Sequence, residues 1–289
     1  MHNYYRAIGF SKGNTKAILR EISKKAIEEY KLKGIENSIG KLMGIYVQFG
    51  KDIGMVIHGE FLENGEFEIE YSFPAVNALR PQYYEQITIE KNAGSYSFSA
   101  VCEGSPSAIS IIFYLKNTID YVNAKLPQKI SAEVGFSGLS LEGKIILPLR
   151  KSISENKKYE LIRDEKNKLI SEAKKGNEEA IETLTFDEMD VYSKISKRVQ
   201  KEDILSIIDT SFMPFGIECD RYAVVGEILE VNESVNCVTG EELYNLLMEC
   251  NDVIMNVMIN KMDLEGVPKV GRRFKGNIWL QGNINFQDA

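Results

Sequence analysis

Between Phe67 and Phe73 the chain alternates strictly. Phe67, Ile69, Tyr71 and Phe73 fall on one parity and Glu66, Glu68, Glu70 and Ser72 on the other. Successive side chains of a strand point to opposite faces, so this segment predicts a strand with one apolar and one wet face. A slip of one residue would turn three glutamates inward, so the register is tightly specified. Just before it, Glu63-Asn64-Gly65-Glu66 holds an Asn-Gly pair suited to a tight hairpin with positive φ. Segments 42–49 and 53–61 flank Gly50-Lys51-Asp52, a second hairpin signal.

Helices are sparse around these strands. Asn14 or Thr15 can cap one in which Ala17, Ile18, Ile22, Ala26, Ile27 and Tyr30 recur at helical spacing, with Gly34 as its end. Further strands are expected at 84–90, 96–102 and 108–115. A short helix at 117–125 is stopped by Pro127, and a closing hairpin of 130–136 and 141–149 turns at Ser137-Gly138. Residues 1–150 therefore read as an α+β unit with a mostly antiparallel sheet and two helices.

The composition changes at Lys151. Residues 151–175 are rich in Lys, Glu and Asn, the signature of a solvated helical connector, and Gly176-Asn177 breaks it. A short helix follows at 178–184. Thr185-Phe186-Asp187-Glu188 then reads as a capping box opening a third helix that reaches about 198. Segment 204–212 is apolar and fits either helix or strand until Pro214. Residues 151–220 are thus expected to form a helical middle. From Tyr222 the period returns to two, with strands at 223–231, 242–250, 253–259, 273–280 and 283–286. Residues 221–289 read as a small antiparallel barrel or curled sheet, an OB-like barrel being one candidate. The 289 residues amount to about two domains' worth of chain.

Charge and cysteine usage narrow the setting. Thirty-five basic against 42 acidic residues give a net charge of −7, which argues against bulk nucleic-acid binding. No secretory signal is expected in Met1–Phe10, and no apolar run approaches the roughly 18–20 residues of a membrane span. Cys102, Cys219, Cys237 and Cys250 share no CxxC spacing, and only His2 and His58 could join them. The expectation is a cytoplasmic chain with free thiols, no bound metal and no cofactor.

Three places could carry chemistry. Gly271-Arg272-Arg273-Phe274-Lys275-Gly276-Asn277-Ile278-Trp279 gathers three cations around the only tryptophan. Arg272, Arg273, Lys275 and Trp279 are the expected ligand-binding residues, for a small anionic ligand, a nucleotide or a sugar held by charge and stacking. Alternation places Phe274 and Ile278 on one side of this strand and Arg273 and Lys275 on the other. Asp209, Glu218 and Asp220 form the second place, a carboxylate set for a metal-assisted hydrolase. The third is His58, with Glu60, Glu68 and Glu70 nearby, as a general base. No cysteine has a linked histidine and Gly-Phe-Ser-Gly at 135–138 fails the nucleophile-elbow pattern, so the principal reading is a non-catalytic binding or scaffolding protein. Self-association through an open sheet edge is a further expectation.

At Ala7-Ile8-Gly9-Phe10-Ser11, Glu142-Gly143-Lys144-Ile145-Ile146-Leu147-Pro148, 212–222 and 271–286, the chain resembles an uncharacterised family from clostridial, largely gut-dwelling bacteria. That family is known as a domain of unknown function. The resemblance implies a cytoplasmic bacterial protein, brings no assigned activity, and transfers no functional residue.

Overall fold

The computed structural model describes residues 2–32, 42–93, 96–104, 109–149, 168–169, 172–173, 176–186, 205 and 207–286. The chain opens with a 3₁₀ segment, Asn3–Ile8, followed by helix α1 (Thr15–Leu32). Asn14 caps α1, its side-chain oxygen accepting from the Ala17 N–H at 3.3 Å. The end expected at Gly34 lies outside the described residues.

Three strands then form a sheet of their own in the order β1 (Met43–Gly50), β2 (Ile53–Phe61) and β3 (Phe67–Val76). Both hairpins expected from the sequence are present. Gly65 takes φ +76° in the Asn64-Gly65 turn, a conformation an L side chain resists. The single apolar face expected of β3 is corrected by a bulge at Glu70: Ile69 pairs with Gly59 and Tyr71 with the adjacent His58, so Phe67 and Ile69 face one side and Tyr71 and Phe73 the other.

The second sheet has ten strands: β4 (Gln82–Lys91), β5 (Phe98–Glu103), β6 (Ile111–Leu115), β7 (Lys129–Ile146), β8 (Ser211–Pro214), β9 (Arg221–Val235), β10 (Glu242–Cys250), β11 (Val253–Asn260), β12 (Leu264–Glu265) and β13 (Arg273–Ile284). Helix α2 (Thr118–Ala124) follows β6 and ends before Pro127, as its sequence predicts. The turn between β10 and β11 places Asn251 and Asp252 at φ 51° and 68°, as a two-residue hairpin of this hand requires.

The hairpin expected at Ser137-Gly138 is instead the middle of the 18-residue strand β7. Gly138 pairs with Leu280 of β13 on one side and Val257 of β11 on the other, so the chain has no room to turn. The C-terminal strands also do not make a small antiparallel sheet by themselves. β13 lies antiparallel to β7 over most of its length, while β11 runs parallel to β7 and β13 parallel to β6. Strands from both sides of residue 150 therefore share one mixed sheet, in which β7, β11, β10, β9 and β13 form a closed circuit of pairings. The physical cause is the length of β7 and β13, each of which serves as a partner to several strands.

The helix at 178–186 is capped by Asn177, whose oxygen accepts from Glu179 N–H at 3.1 Å. Thr185 is inside this helix and donates its hydroxyl to the Ile181 carbonyl at 2.7 Å, so it does not start a new one. The helix expected beyond it, and nearly all of the 151–175 connector, lie outside the described residues. Within 204–212, the strand alternative holds for the part from Ser211 onward, as β8.

Two apolar interiors result. One lies within the large sheet, with Phe136, Val257, Phe274, Ile278 and Leu280. The other lies between the small sheet, the 3₁₀ segment, α1 and the outer face of the large sheet, with Tyr5, Phe49, Phe73, Tyr114, Leu139, Met258 and Trp279. Strands β7, β11 and β13 thus contribute alternate residues to both. This explains why Val253–Asn260 reads as an almost unbroken apolar run. No helix among the described residues is long and apolar enough to cross a membrane.

Candidate functional site

A single lateral row of side chains crosses five strands. Glu265 of β12, Lys144 of β7, Lys275 of β13, Val225 of β9 and Ser211 of β8 are direct partners in successive ladders. Direct cross-strand partners point to the same side of a sheet, with strands about 4.7–4.9 Å apart. The row therefore lines one groove, with Asn277 and Ala223 making the next row. Its volume is about 570 Å³, within the roughly 300–1,000 Å³ typical of small-molecule sites.

The floor is thin by design of the sequence. Gly143 and Gly276 are paired opposite each other, and a Cβ on either would lie 2.4 or 2.6 Å from the Phe274 ring beneath. The two glycines let that ring lie flat against the inner face of the strands. Small residues on this side, Ala223 and Ser211, keep the outer face open.

The charges in the groove are unevenly matched. Lys144 Nζ is 2.9 Å from Glu265 Oε1. Asp263, at the groove's edge, is held by Arg6 through two hydrogen bonds of 2.7 and 2.6 Å. Glu142 accepts from Asn277 Nδ2 at 3.3 Å. Lys275 makes no ion pair and no side-chain hydrogen bond among the described residues, and its register partner is another lysine. Like charges directly opposite one another in a sheet destabilise it by roughly 0.2–1 kcal/mol.

The four residues singled out from the sequence do not converge. Arg273 is only 4 % exposed. Its guanidinium donates to the carbonyls of Leu147 (3.0 and 2.8 Å), Ile208 (2.7 Å), Leu205 (2.9 Å) and Asp209 (3.3 Å). Every donor face is committed to backbone, which leaves nothing for a ligand. Arg272 donates to the Val267 carbonyl at 2.9 Å. Trp279 is 3 % exposed in the second interior, stacked on His2 at 4.1 Å between ring centroids, and its Nε1 donates to Asp220 Oδ2 at 2.8 Å. The aromatic platform is therefore inside the protein, and Lys275 alone of the four faces the groove. Phe274 and Ile278 do share a side, as alternation predicts.

The carboxylate set disperses too. Glu218 pairs with Arg221, Asp220 accepts from Trp279, and Asp209 lies beside the Arg273 guanidinium. Burial raises the Asp220 pKa, against the opposing effect of the Trp279 hydrogen bond. Among the described residues no three His, Cys, Asp or Glu side chains are placed to hold a metal ion. His58 is buried, and its Nδ1 shares a hydrogen bond with the Tyr71 hydroxyl while its ring meets Tyr71 and Phe73 edge-on. Burial lowers its pKa to about 4. It is a cross-strand packing partner of Tyr71, and the glutamates near it in sequence do not enter its environment.

Lys144, Asn277, Ser211 and Glu265 were missed as site residues. Each is unremarkable in its own segment, and only strand register brings them to Lys275. Lys144 does fall within the Glu142–Pro148 string that carries the family resemblance, which is the one signal that could have raised it.

Fold and groove together define a mixed α and β, strand-dominated protein with a polar groove on the outer face of its larger sheet. The chain belongs to the family described as a domain of unknown function named for E. rectale, DUF3881, whose match covers residues 5–282. No curated protein and no solved structure matches the chain.

Proposed function

We propose that the protein is a non-catalytic bacterial binding protein of the cytoplasm, holding a small ligand with one anionic group in the Lys275 groove. The observation that carries this reading is the pair of lysines facing each other in register, one of them without a counter-charge among the described residues. A like-charged pair costs stability unless something anionic occupies the space above it. Asn277 and Ser211 around it supply neutral donors and acceptors, and Glu142 a carboxylate acceptor, suited to hydroxyl groups, so a sugar acid or sugar phosphate fits the lining better than a stacked base. The cytoplasmic setting is supported by four free cysteines, two of them exposed.

The test is a titration of ¹³C-methylated protein with inorganic phosphate, glucuronate and adenosine monophosphate, following the lysine resonances. Saturable shifts at Lys275 and Lys144 are expected from at least the first two. Lys275→Ala should weaken that binding by roughly tenfold, the equivalent of about 1.4 kcal/mol. If neither lysine responds to any of the three anions, the groove is not an anion site and the proposal fails.

A further inference from the structure

Three oxidisable side chains stand in line in the interior between the two sheets. Trp279 of β13 and Tyr114 of β6 lie 5.2 Å apart between ring centroids. The Tyr114 hydroxyl shares a hydrogen bond with that of Tyr71 on β3. Phe73 packs against all three, at 6.4 Å from Trp279, 4.9 Å from Tyr114 and 6.0 Å from Tyr71. Trp279 and Tyr114 are buried, and Tyr71 is half-buried where the row nears the surface. Electron transfer weakens exponentially with the gap between donor and acceptor, so rings in contact pass an electron that separated rings do not.

Each end of the row carries a base. Trp279 Nε1 donates to Asp220 Oδ2 at 2.8 Å, and burial raises the Asp220 pKa, which makes its carboxylate a better proton acceptor. The Tyr71 hydroxyl shares a hydrogen bond with Nδ1 of His58, a ring that is 1 % exposed and that burial keeps neutral. Loss of an electron turns an indole N–H or a phenol O–H into a strong acid. A buried charge is costly, so the radical persists in its neutral form, and its proton needs an acceptor within hydrogen-bond reach. An oxidised phenol is a far stronger acid than an imidazolium, so neutral His58 takes the proton even in this buried place.

Trp279 has a second tyrosine neighbour, Tyr4, at 5.5 Å. The Tyr4 hydroxyl has no hydrogen-bonded base among the described residues, and the Arg221 guanidinium lies 5.6 Å from its ring. A cation there opposes removal of an electron. Only the Tyr114 direction ends on a hydrogen-bonded imidazole.

We propose that Trp279, Tyr114 and Tyr71 form a relay that carries one oxidising equivalent from the Trp279–Asp220 pair to the Tyr71–His58 pair. Its co-reactant is a one-electron oxidant that takes an electron from the indole. Trp279 loses that electron and gives its N–H proton to Asp220. An electron then crosses from Tyr71 by way of Tyr114 to the indole, which recovers its proton from Asp220. The Tyr71 O–H bond breaks and its proton passes to His58 Nδ1. Trp279 and Tyr114 are restored, the oxidant has gained one electron, and Tyr71 is left as a neutral radical. The relay shares no residue with the Lys275 groove.

The test is laser flash photolysis of the full chain. Trp279 is the only tryptophan, so light beyond the tyrosine absorption edge ionises a single residue, with hexaamminecobalt(III) in solution as the electron acceptor. The indolyl radical should decay as a tyrosyl radical grows, at a rate independent of protein concentration. Tyr114→Phe and His58→Phe should each slow that transfer by roughly tenfold or more, and Tyr4→Phe should leave it unchanged. Phenylalanine keeps a ring at each position, and matching melting curves will show that the variants are folded. In Tyr71→Phe the tyrosyl signal of the frozen sample should be lost from its electron paramagnetic resonance spectrum. Failure of a tyrosyl radical to appear in the wild type, or a transfer rate that scales with protein concentration, would overturn the relay. So would a transfer that Tyr4→Phe slows and Tyr114→Phe does not, or a tyrosyl signal that Tyr71→Phe leaves at wild-type yield.

Discussion

Arg273 and Lys275 sit two residues apart on β13, and their roles are opposite. The arginine is buried and donates to carbonyls of Leu147, Leu205, Ile208 and Asp209, so it ties the end of β7 to the segment that leads into β8. The lysine stands in an open groove facing Lys144. A guanidinium offers five N–H groups in a planar fork and can serve several chain segments at once. An ammonium is a compact point charge that does well in water. A cluster of cations in sequence therefore does not mark a cationic surface. What each charge can do depends on where its carbonyls and counter-ions are.

Lys116 takes the comparison to its limit, and the largest expected effect belongs to it. It is a lysine in a site that suits no cation: among the described residues its ammonium meets only the Val76 carbonyl and the Ser137 hydroxyl, with no carboxylate. Burial lowers its pKa from 10.5 to about 7. The charged form is disfavoured in the folded state, so between about pH 7 and 10.5 the unfolded chain binds more protons. The Lys116 contribution to stability should rise with pH through that window, by an amount on the order of 4 kcal/mol, opposed above about pH 9 by the buried Cys102 and Cys250 thiols, whose pKa values burial raises. In Lys116→Met the rise should be absent, as urea unfolding at a series of pH values will show. An unchanged slope in that variant would mean that Lys116 stays charged in place.

Next comes Arg273→Met. It leaves the carbonyls of Leu147, Leu205, Ile208 and Asp209 without their donor. A buried unsatisfied group costs about 1–3 kcal/mol. Leu147 is exposed and the other three are half-buried, so water can replace the donor in part and a total loss of about 2–4 kcal/mol is expected by chemical denaturation. Should Arg273→Met unfold at the same denaturant concentration as the wild type, the contrast between the two cations collapses.

His58 is expected to act at a similar size, and only at acid pH. With a folded pKa of about 4 against 6.5, it stays neutral in the fold. Stability contributed by the neutral ring is complete above pH 6.5 and is lost as the pH falls towards 4, by about 3 kcal/mol. His58→Phe should flatten the acid limb of the stability profile. A ring resonance titrating near pH 6.5 in the folded protein would contradict this.

The smallest effect is at Lys275. Lys275→Ala should leave stability within about 0.5 kcal/mol of wild type, or raise it slightly by relieving the repulsion from Lys144. Calorimetry on the pair settles it. A large loss would place Lys275 with Arg273 as a structural cation and remove the basis for the anion groove.

Period-two alternation, Asn64-Gly65, Asn251-Asp252 and the Asn14 cap were all legible along the chain, because each acts over a few residues. By that local route the sequence determined most strands, both helices of the first half and the α+β character of the protein. It could not determine which strand lies beside which. Ser137-Gly138 has the composition of a turn, yet both edges of that point in β7 are occupied by Leu280 and Val257. Trp279 beside three cations has the composition of a binding platform, and strand parity does put it on the same face as Lys275, yet there His2, Tyr4 and Asp220 cover it. The groove exists only because Lys144, 131 positions away from Lys275 by their numbering, falls opposite it in register. Such pairing is set by the burial of two interiors at once, a property of the whole chain. Local chemistry wrote the elements, and long-range packing decided which charges were consumed in the fold and which were left facing outward.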